Sequence, residues 1–255
     1  MKKFIFFCLI IFLLVLIINY YIKYNDNINY KKFINNNIYA YKNKTYHNKV
    51  HNPCKYKHLI LNKKQLDGTK ELLLKFIDFT KKYNVDYFII AGSLIGCIRN
   101  GGLLPFDDDI DVAVFEKDIY LIEKYKDPQF YFEKATYGFG YKFKKKNSNL
   151  FIDVMIFEKD KENPKKYKII NNLWKNEAIY LDEIYPLTEK NYSGFTVNVP
   201  YKFIPYLHRA FPKWDKQIRF DCGHHTKKCF YKELGLPRII DANYNNSMFL
   251  CYTEL

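Results

Sequence analysis

Four carboxylates crowd into residues 107–111, DDDID, at the end of the stretch AGSLIGCIRNGGLLPFDDDIDV (91–112). The apolar run IDVAVF (110–115) reads as a strand, and side chains alternate between the faces of a strand, so Asp109 and Asp111 project from the same side. Carboxylates this close repel one another and hold on to protons unless a cation lies between them. A divalent ion resolves the conflict: Mg²⁺ or Mn²⁺ takes hard oxygen ligands and commonly combines one or two carboxylates with substrate phosphates. A third acid, Asp153, interrupts the otherwise apolar segment LFIDVMIFE (150–158). Burying it alone is costly, and sharing the same metal explains it. The expected metal set, and the expected catalytic set, is therefore Asp109, Asp111 and Asp153, with Asp107 and Asp108 flanking it.

Gly92 and Ser93 complete the constellation. Glycine lets the backbone approach a ligand, and amides at the start of the helix expected over SLIGCIRN offer an anion-binding end. Ser93 offers a hydroxyl to a phosphate, and Arg99 a guanidinium. Gly92, Ser93 and Arg99 are the expected donor-binding residues. Phosphate donors on one side and a carboxylate-held metal on the other suit a nucleotide diphosphate and metal-assisted transfer at phosphorus. Singly, each piece has a plainer reading: a turn, a solvated acidic loop, a surface arginine, a buried acid bonded to a backbone amide. Their order between apolar strands favours the joint reading.

The surrounding segments supply the scaffold. QLDGTKELLLKFIDFTKKY (65–83) carries apolar residues at helical spacing, and Asn84 stops it. VDYFIIAG (85–92), IDVAVF (110–115) and LFIDVMIFE (150–158) read as buried strands, KDIYLIEKY (117–125) as a helix, and FYFEKA with YGFGYKFKK as a hairpin. This order indicates an α+β domain built on a mixed sheet with flanking helices. Phe106, Tyr137 and Tyr141 lie near the motif and are aromatic enough to cage a quaternary ammonium. With 24 Tyr and 22 Phe in the chain, core packing is the simpler role.

The 255 residues, 48% of them hydrophobic, suffice for a sizeable core. The formal charge of +14 is spread along the chain rather than gathered in a stripe. It suits acidic partners, but no zinc-finger spacing or other nucleic-acid motif accompanies it, and nucleic acid is not an expected partner. FIFFCLIIFLLVLII (4–18) followed by NYYI approaches the ~20 residues of a membrane span and lacks the small-residue pattern of a signal cleavage site. The expected organisation is a cytoplasmic tail (1–3), a transmembrane signal anchor (4–22), an Asn- and Lys-rich lumenal stem (23–57) and a catalytic domain (58–255). That describes a single-pass type II protein of the Golgi or endoplasmic reticulum lumen. Sequons at Asn43, Asn191 and Asn245 are compatible with it, although such tripeptides arise easily in an Asn-rich chain.

Of six cysteines, Cys8 lies in the anchor and Cys97 inside the glycine-rich motif, leaving Cys54, Cys222, Cys229 and Cys251 for two disulfides. CGHHTKKC (222–229) also permits a zinc site on Cys222, His224, His225 and Cys229, but its spacing matches no common finger, and a local disulfide or loop is the expectation. The histidines are assigned no role.

The 91–112 stretch resembles the core motif of the LicD and fukutin-related family, in which a Gly-Ser or Gly-Thr turn precedes L-x-G-x-x-R, a glycine, an aromatic and D-D-D-[IV]-D. Phe106 stands where that family often has Trp, and FIDVMIF, IYPLTEKNYSGFTVNVP (184–200) and YKFIPYLHRAFPKW (201–214) extend the likeness over about residues 65–215. The resemblance implies a nucleotidyltransferase-like fold of the DNA polymerase beta type. It also implies an enzyme moving a phospho-alcohol, such as phosphocholine or ribitol phosphate, from a CDP-linked donor to a glycan hydroxyl, with release of CMP. Carried onto this chain, Asp109 and Asp111 hold metal, Asp153 is the third ligand or the base for the acceptor hydroxyl, and Ser93 and Arg99 contact the diphosphate. The alternatives are a nucleotidyltransferase releasing pyrophosphate, a noncatalytic glycan-binding relative and a basic membrane-surface adaptor.

Overall fold

The computed structural model describes residues 61–104, 107–220, 222–224, 229, 232 and 238–241. The expected tail, anchor and stem, together with Phe106, Cys54, His225 and Cys251, lie outside these residues. Among the described residues, no helix is long and apolar enough to cross a membrane.

Helix α1 (Lys63–Tyr83) begins at Asn62, whose side chain accepts from the Gln65 amide while Gln65 reaches back to the Asn62 amide, a reciprocal cap. It ends at Asn84 in the left-handed region that asparagine tolerates. Its buried residues Thr69, Leu72, Leu73, Phe76, Ile77, Phe79 and Thr80 recur at the three- and four-residue spacing of one helical face. There follow β1 (Tyr87–Ile89), α2 (Ala91–Asn100), β2 (Ile110–Phe115), α3 (Ile119–Lys124), β3 (Phe130–Lys134), β4 (Gly140–Lys145) and β5 (Phe151–Lys159). Then come β6 (Lys166–Ile169), β7 (Ile179–Tyr180), α4 (Leu181–Ile184), the hairpin β8 (Thr188–Tyr192) and β9 (Phe195–Val199), and α5 (Phe203–Ala210). The last described elements are the paired strands β10 (Gln217–Arg219) and β11 (Ile239–Asp241).

The main sheet runs β1-β2-β5-β4-β3, with β6 and β7 added beyond the second half of β5. Only β2 and β5 run parallel; β1–β2, β3–β4, β4–β5, β5–β6 and β6–β7 are antiparallel. The fold is thus a mixed α+β sheet with flanking helices, as expected. Strand β5 is the spine: β2 borders it along one edge, and on the other β4 pairs with residues 151–155 and β6 with residues 157–159. The first strand is shorter than VDYFIIAG foretells, because Ile90 is already the residue capping α2 and only its amide stays in the sheet, donating to the Asp111 carbonyl.

One face of this sheet carries the core. Phe143 of β4 touches Phe76 of α1 as well as Phe130, Phe132 and Tyr125, with ring centroids 4.8–6.0 Å apart. Because successive residues alternate, Lys142 must project from the face opposite Phe143, and Asp153, in register with Lys142, projects with it. Tyr141 lies on the Phe143 face and donates to Glu123 at 2.9 Å, so it turns away from the carboxylates.

Removing the ring at the centre of the aromatic cluster, Phe143→Ala, should lower the unfolding free energy by about 3–5 kcal/mol in urea denaturation. Asn62→Ala, which deletes only the cap of α1, should cost about 1 kcal/mol.

Candidate active site

The site follows from strand register. In the parallel pair, Asp111 of β2 lies directly opposite Asp153 of β5, and in the antiparallel pair Asp153 lies opposite Lys142 of β4. In-register neighbours share a face and stand only about 4.5–5.5 Å apart at Cβ, so Asp111, Asp153 and Lys142 form a row across three strands. Asp109, two residues before Asp111, joins the row from the loop entering β2. The carboxylate oxygens of Asp109, Asp111 and Asp153 lie within 4.8 Å of one another, and all three residues are buried.

Helix α2 is fitted against this row. Asp111 donates its amide to Ser93 Oγ at 2.8 Å, joining the first turn of the helix to β2. A Cβ on Gly92 would stand 2.8 Å from Asp107 Oδ2 and 3.6 Å from Asp111 Oδ2, so only glycine leaves the carboxylates room here. The expected turn at Gly92-Ser93 lies one residue earlier. Ala91 takes φ 48, in the left-handed region, and its amide donates to the Tyr206 hydroxyl of α5. Tyr206 in turn donates to Glu177 at 3.2 Å.

The remaining expected residues divide. Ser93 is fully buried, with its oxygen engaged by the Asp111 amide. Arg99, two turns along α2, donates to the Trp214 carbonyl at 3.3 Å. Ser93 therefore adjoins the carboxylates through the backbone of β2, while Arg99 fastens the far end of α2 to the segment after α5. The far end is also packed against the β8–β9 hairpin: Ser193 donates its amide to the Gly101 carbonyl at 2.7 Å.

Two cationic side chains at the site were not foreseen. Lys142 Nζ lies 2.6 Å from Asp153 Oδ1 and packs over the Phe151 ring. Its alternation in YGFGYKFKK and its register with Asp153 could have indicated it, once the hairpin was paired with β5. His224 comes from the segment between Cys222 and Cys229, which form a disulfide, as preferred over zinc. Its amide donates to Asp108 Oδ1 at 2.8 Å, and its Nδ1 lies 2.9 Å from Asp109 Oδ2. Nothing in the local sequence links His224 to residues more than a hundred positions earlier.

Burial, reinforced by the neighbouring Asp109 carboxylate, holds the carboxyls of Asp107 and Asp111 well above the usual carboxylate range. Burial also raises Asp153, to about 6, against the opposing pull of Lys142. The carboxylates of Asp108 and Asp109 raise His224 to about 11. Burial lifts Glu177 to about 7, with its bond from Tyr206 opposing.

The LicD/FKTN/FKRP nucleotidyltransferase domain matches residues 84–202, which run from the end of α1 to the start of α5 and include the whole carboxylate row. The match to the LicD family domain thus takes in just under half of the chain. Two curated relatives are uncharacterized proteins of Rickettsia. RT0683 of Rickettsia typhi (strain ATCC VR-144 / Wilmington) is 28% identical over 164 residues, covering 61% of this chain and 49% of its own length. RP689 of Rickettsia prowazekii (strain Madrid E) is 29% identical over 169 residues, covering 61% of this chain and 60% of its own length. The chain thus spans about half to three-fifths of the length of these curated relatives. Among solved structures, the lincosamide antibiotic adenylyltransferase LnuA, lincomycin-bound, aligns with a TM-score of 0.36 at 15% identity, covering 52% of this chain and 80% of that chain. The antibiotic-resistance factor ANT(2'')-Ia aligns with a TM-score of 0.34 at 15% identity, covering 56% and 73%. At these TM-scores neither bears on the fold.

The raised carboxyls fix the sign of the pH dependence. In the folded protein Asp153 keeps its proton up to about pH 6, whereas the unfolded chain loses it near 3.9, so between these values the unfolded state binds fewer protons and stability falls as pH rises. Asp107 and Asp111 act in the same direction. His224, raised above its unfolded value, contributes stability that is complete below about pH 6.5 and declines above it. With metal chelated, the thermal midpoint should therefore rise as pH is lowered from 7 to 5. Asp111→Asn should be more stable than the unmodified chain at pH 7 and show a smaller rise; calorimetry with a chelator present reads both.

Proposed function

We propose that this LicD-domain chain is a metal-dependent transferase that moves a phospho-alcohol from a CDP-linked donor to a glycan hydroxyl and releases CMP. The observation that carries the reading is the convergence of Asp109, Asp111 and Asp153 beneath the glycine at the start of α2. The donor set fits a hard divalent ion. Its oxygens are close and buried, and the neighbouring charges destabilise the ionised carboxyls of Asp107 and Asp111. Asp109, Asp111 and Asp153 would hold Mg²⁺ or Mn²⁺, which when bound supplies charge neutralisation and Lewis-acid stabilisation at the phosphate oxygens.

The chain's own residues account for the rest. Gly92 keeps the space above the carboxylates open for a phosphate group, and the first-turn amides of α2 offer it a positive helix end. Lys142 fixes one oxygen of Asp153 and leaves the other facing the row. As the alternative to its place as third metal ligand, Asp153 would accept the proton of the acceptor hydroxyl as its oxygen bonds to the distal phosphorus and the bridge to CMP breaks. In this assignment Ser93 holds β2 against α2 and reaches phosphate only through its hydroxyl proton, and Arg99 adds its charge from the far end of the helix. A DNA polymerase beta type of sheet, a signal anchor at residues 4–22 and a lumenal catalytic body complete the proposal. The Cys222–Cys229 disulfide favours that oxidising compartment.

Full-length protein given Mn²⁺, CDP-choline, CDP-ribitol or CDP-glycerol and a glycan mixture should release CMP with one of these donors. Asp111→Asn should lower the rate by about 10²–10³-fold or more, the scale on which a principal electrostatic stabiliser acts. Pyrophosphate released from CTP, with no CMP from any CDP-alcohol, would transfer the assignment to a nucleotidyltransferase. Release that persists in Asp111→Asn would overturn the role given to the carboxylates.

A further inference from the structure

The segment joining β6 to β7 carries two side chains, Trp174 and Glu177, that stay outside the hydrophobic core. We propose that they form a saccharide-binding subsite, in which the Trp174 indole stacks on the apolar face of a sugar ring of the acceptor and the Glu177 carboxyl group receives that sugar's hydroxyls. The subsite deepens the transferase reading above by saying where the acceptor is held, and it rests on that reading for the link to group transfer.

Three observations carry it. First, Trp174 is 46% exposed, yet its ring has a fixed place against the buried Phe139, with centroids 5.7 Å apart. The Phe139 ring centroid lies 5.6 Å from Lys142 Nζ, which is 2.6 Å from Asp153 Oδ1. A run of contacts thus leads from the open indole to the carboxylate row. Second, Trp174 has φ 47 and ψ 63, in the left-handed region, where a bulky residue is disfavoured. Asn171 and Asn172 share that region, and the Asn171 side chain donates to the Gly138 carbonyl at 2.8 Å, tying the segment to the turn before β4. Holding a large ring in a costly conformation and leaving it half open to solvent gains nothing for the fold. Third, Glu177 closes the same turn, its amide donating to the Trp174 carbonyl at 2.8 Å, but its side chain runs inward. Its Oε2 accepts from Tyr206, whose oxygen also accepts the Ala91 amide at the start of α2, and its charge bears on Asp111. One short turn therefore flanks the row with Trp174 towards Lys142 and Glu177 towards Asp111.

The chemistry selects the ligand. An indole face beside a carboxylate suits a neutral ring with C–H bonds on one face and hydroxyls around its edge. A nucleotide fits worse: its phosphates would meet the repulsion of Glu177 added to that of the row, and among the described residues no basic side chain bears on Glu177 to offset it.

The chain has two tryptophans, so Trp214→Phe leaves Trp174 as the single indole. Full-length Trp214→Phe protein is titrated, without metal or donor, with neutral oligosaccharides of glucose, galactose, mannose and N-acetylglucosamine, and separately with CDP. An oligosaccharide should shift the Trp174 emission saturably, and CDP should not. Glu177→Gln in that background, which keeps an acceptor for Tyr206 but removes the charge, should weaken the same oligosaccharide about tenfold or more. In the CMP-release assay with Trp214 intact, Trp174→Asn, an exchange suited to the left-handed backbone, should lower kcat/KM for the glycan about tenfold or more through KM rather than kcat. Trp174→Phe, which restores a ring, should recover most of that loss. An unaltered glycan KM in Trp174→Asn would overturn the subsite and leave the transferase reading standing. An emission shift with CDP and with no oligosaccharide would assign the indole to the donor's base and overturn the subsite likewise. A saturable oligosaccharide shift without CMP release from any donor would support the subsite and contradict the transferase reading. No shift and no release would overturn both.

Discussion

Like charge held against like charge by strand register is the constraint on which this structure turns. Parallel pairing of β2 with β5 sets Asp111 opposite Asp153, and a one-residue slip would send one carboxylate to the Phe143 face. That register is secured from the other face, where Ile110, Val112, Val114, Ile152, Val154 and Ile156 are fully buried. The apolar layer therefore stabilises an arrangement that the polar layer, taken alone, disfavours. Separating the two functions onto opposite faces of the same strands lets one short sheet do both.

The elements around the row limit its charge without cancelling it. Lys142 compensates Asp153 from the neighbouring strand, and His224 meets Asp108 and Asp109 from the disulfide loop. Neither relieves Asp111, whose carboxyl remains raised by burial and by Asp109 and Asp153. Elsewhere the molecule completes its ion pairs more fully: Arg209 forms a two-armed contact with Glu183 and also donates to the Ala178 carbonyl, fastening α5 to α4. The contrast between a satisfied pair there and an oversupply of carboxylate at β2 is the mark of a site prepared for a cation from outside.

Much of this was legible in the sequence because local rules determined it. The short apolar runs IDVAVF and LFIDVMIFE foretold both central strands almost to the residue, and helical spacing foretold α1. Asp109, Asp111 and Asp153 stood out because acids beside or inside apolar strands demand an explanation. What remained hidden depended on long-range pairing. Lys142 matters only because β4 lies beside β5, and His224 only because it meets Asp108 and Asp109 from more than a hundred residues away, and neither relation has a local signature. Ser93 shows the reverse limit: its type and place beside Gly92 were informative, but its buried bond to the Asp111 amide follows from packing of α2 on β2.

The central claim is that three carboxylates brought together by register hold one divalent ion against a nucleotide diphosphate. Its most direct test is anomalous diffraction from a crystal of the protein soaked with Mn²⁺ and CDP. A strong Mn²⁺ peak in contact with Asp109, Asp111 and Asp153 and with CDP phosphate oxygens, close to Gly92, is the predicted result. Ordered CDP bound elsewhere, with no Mn²⁺ peak among the three carboxylates, would contradict it.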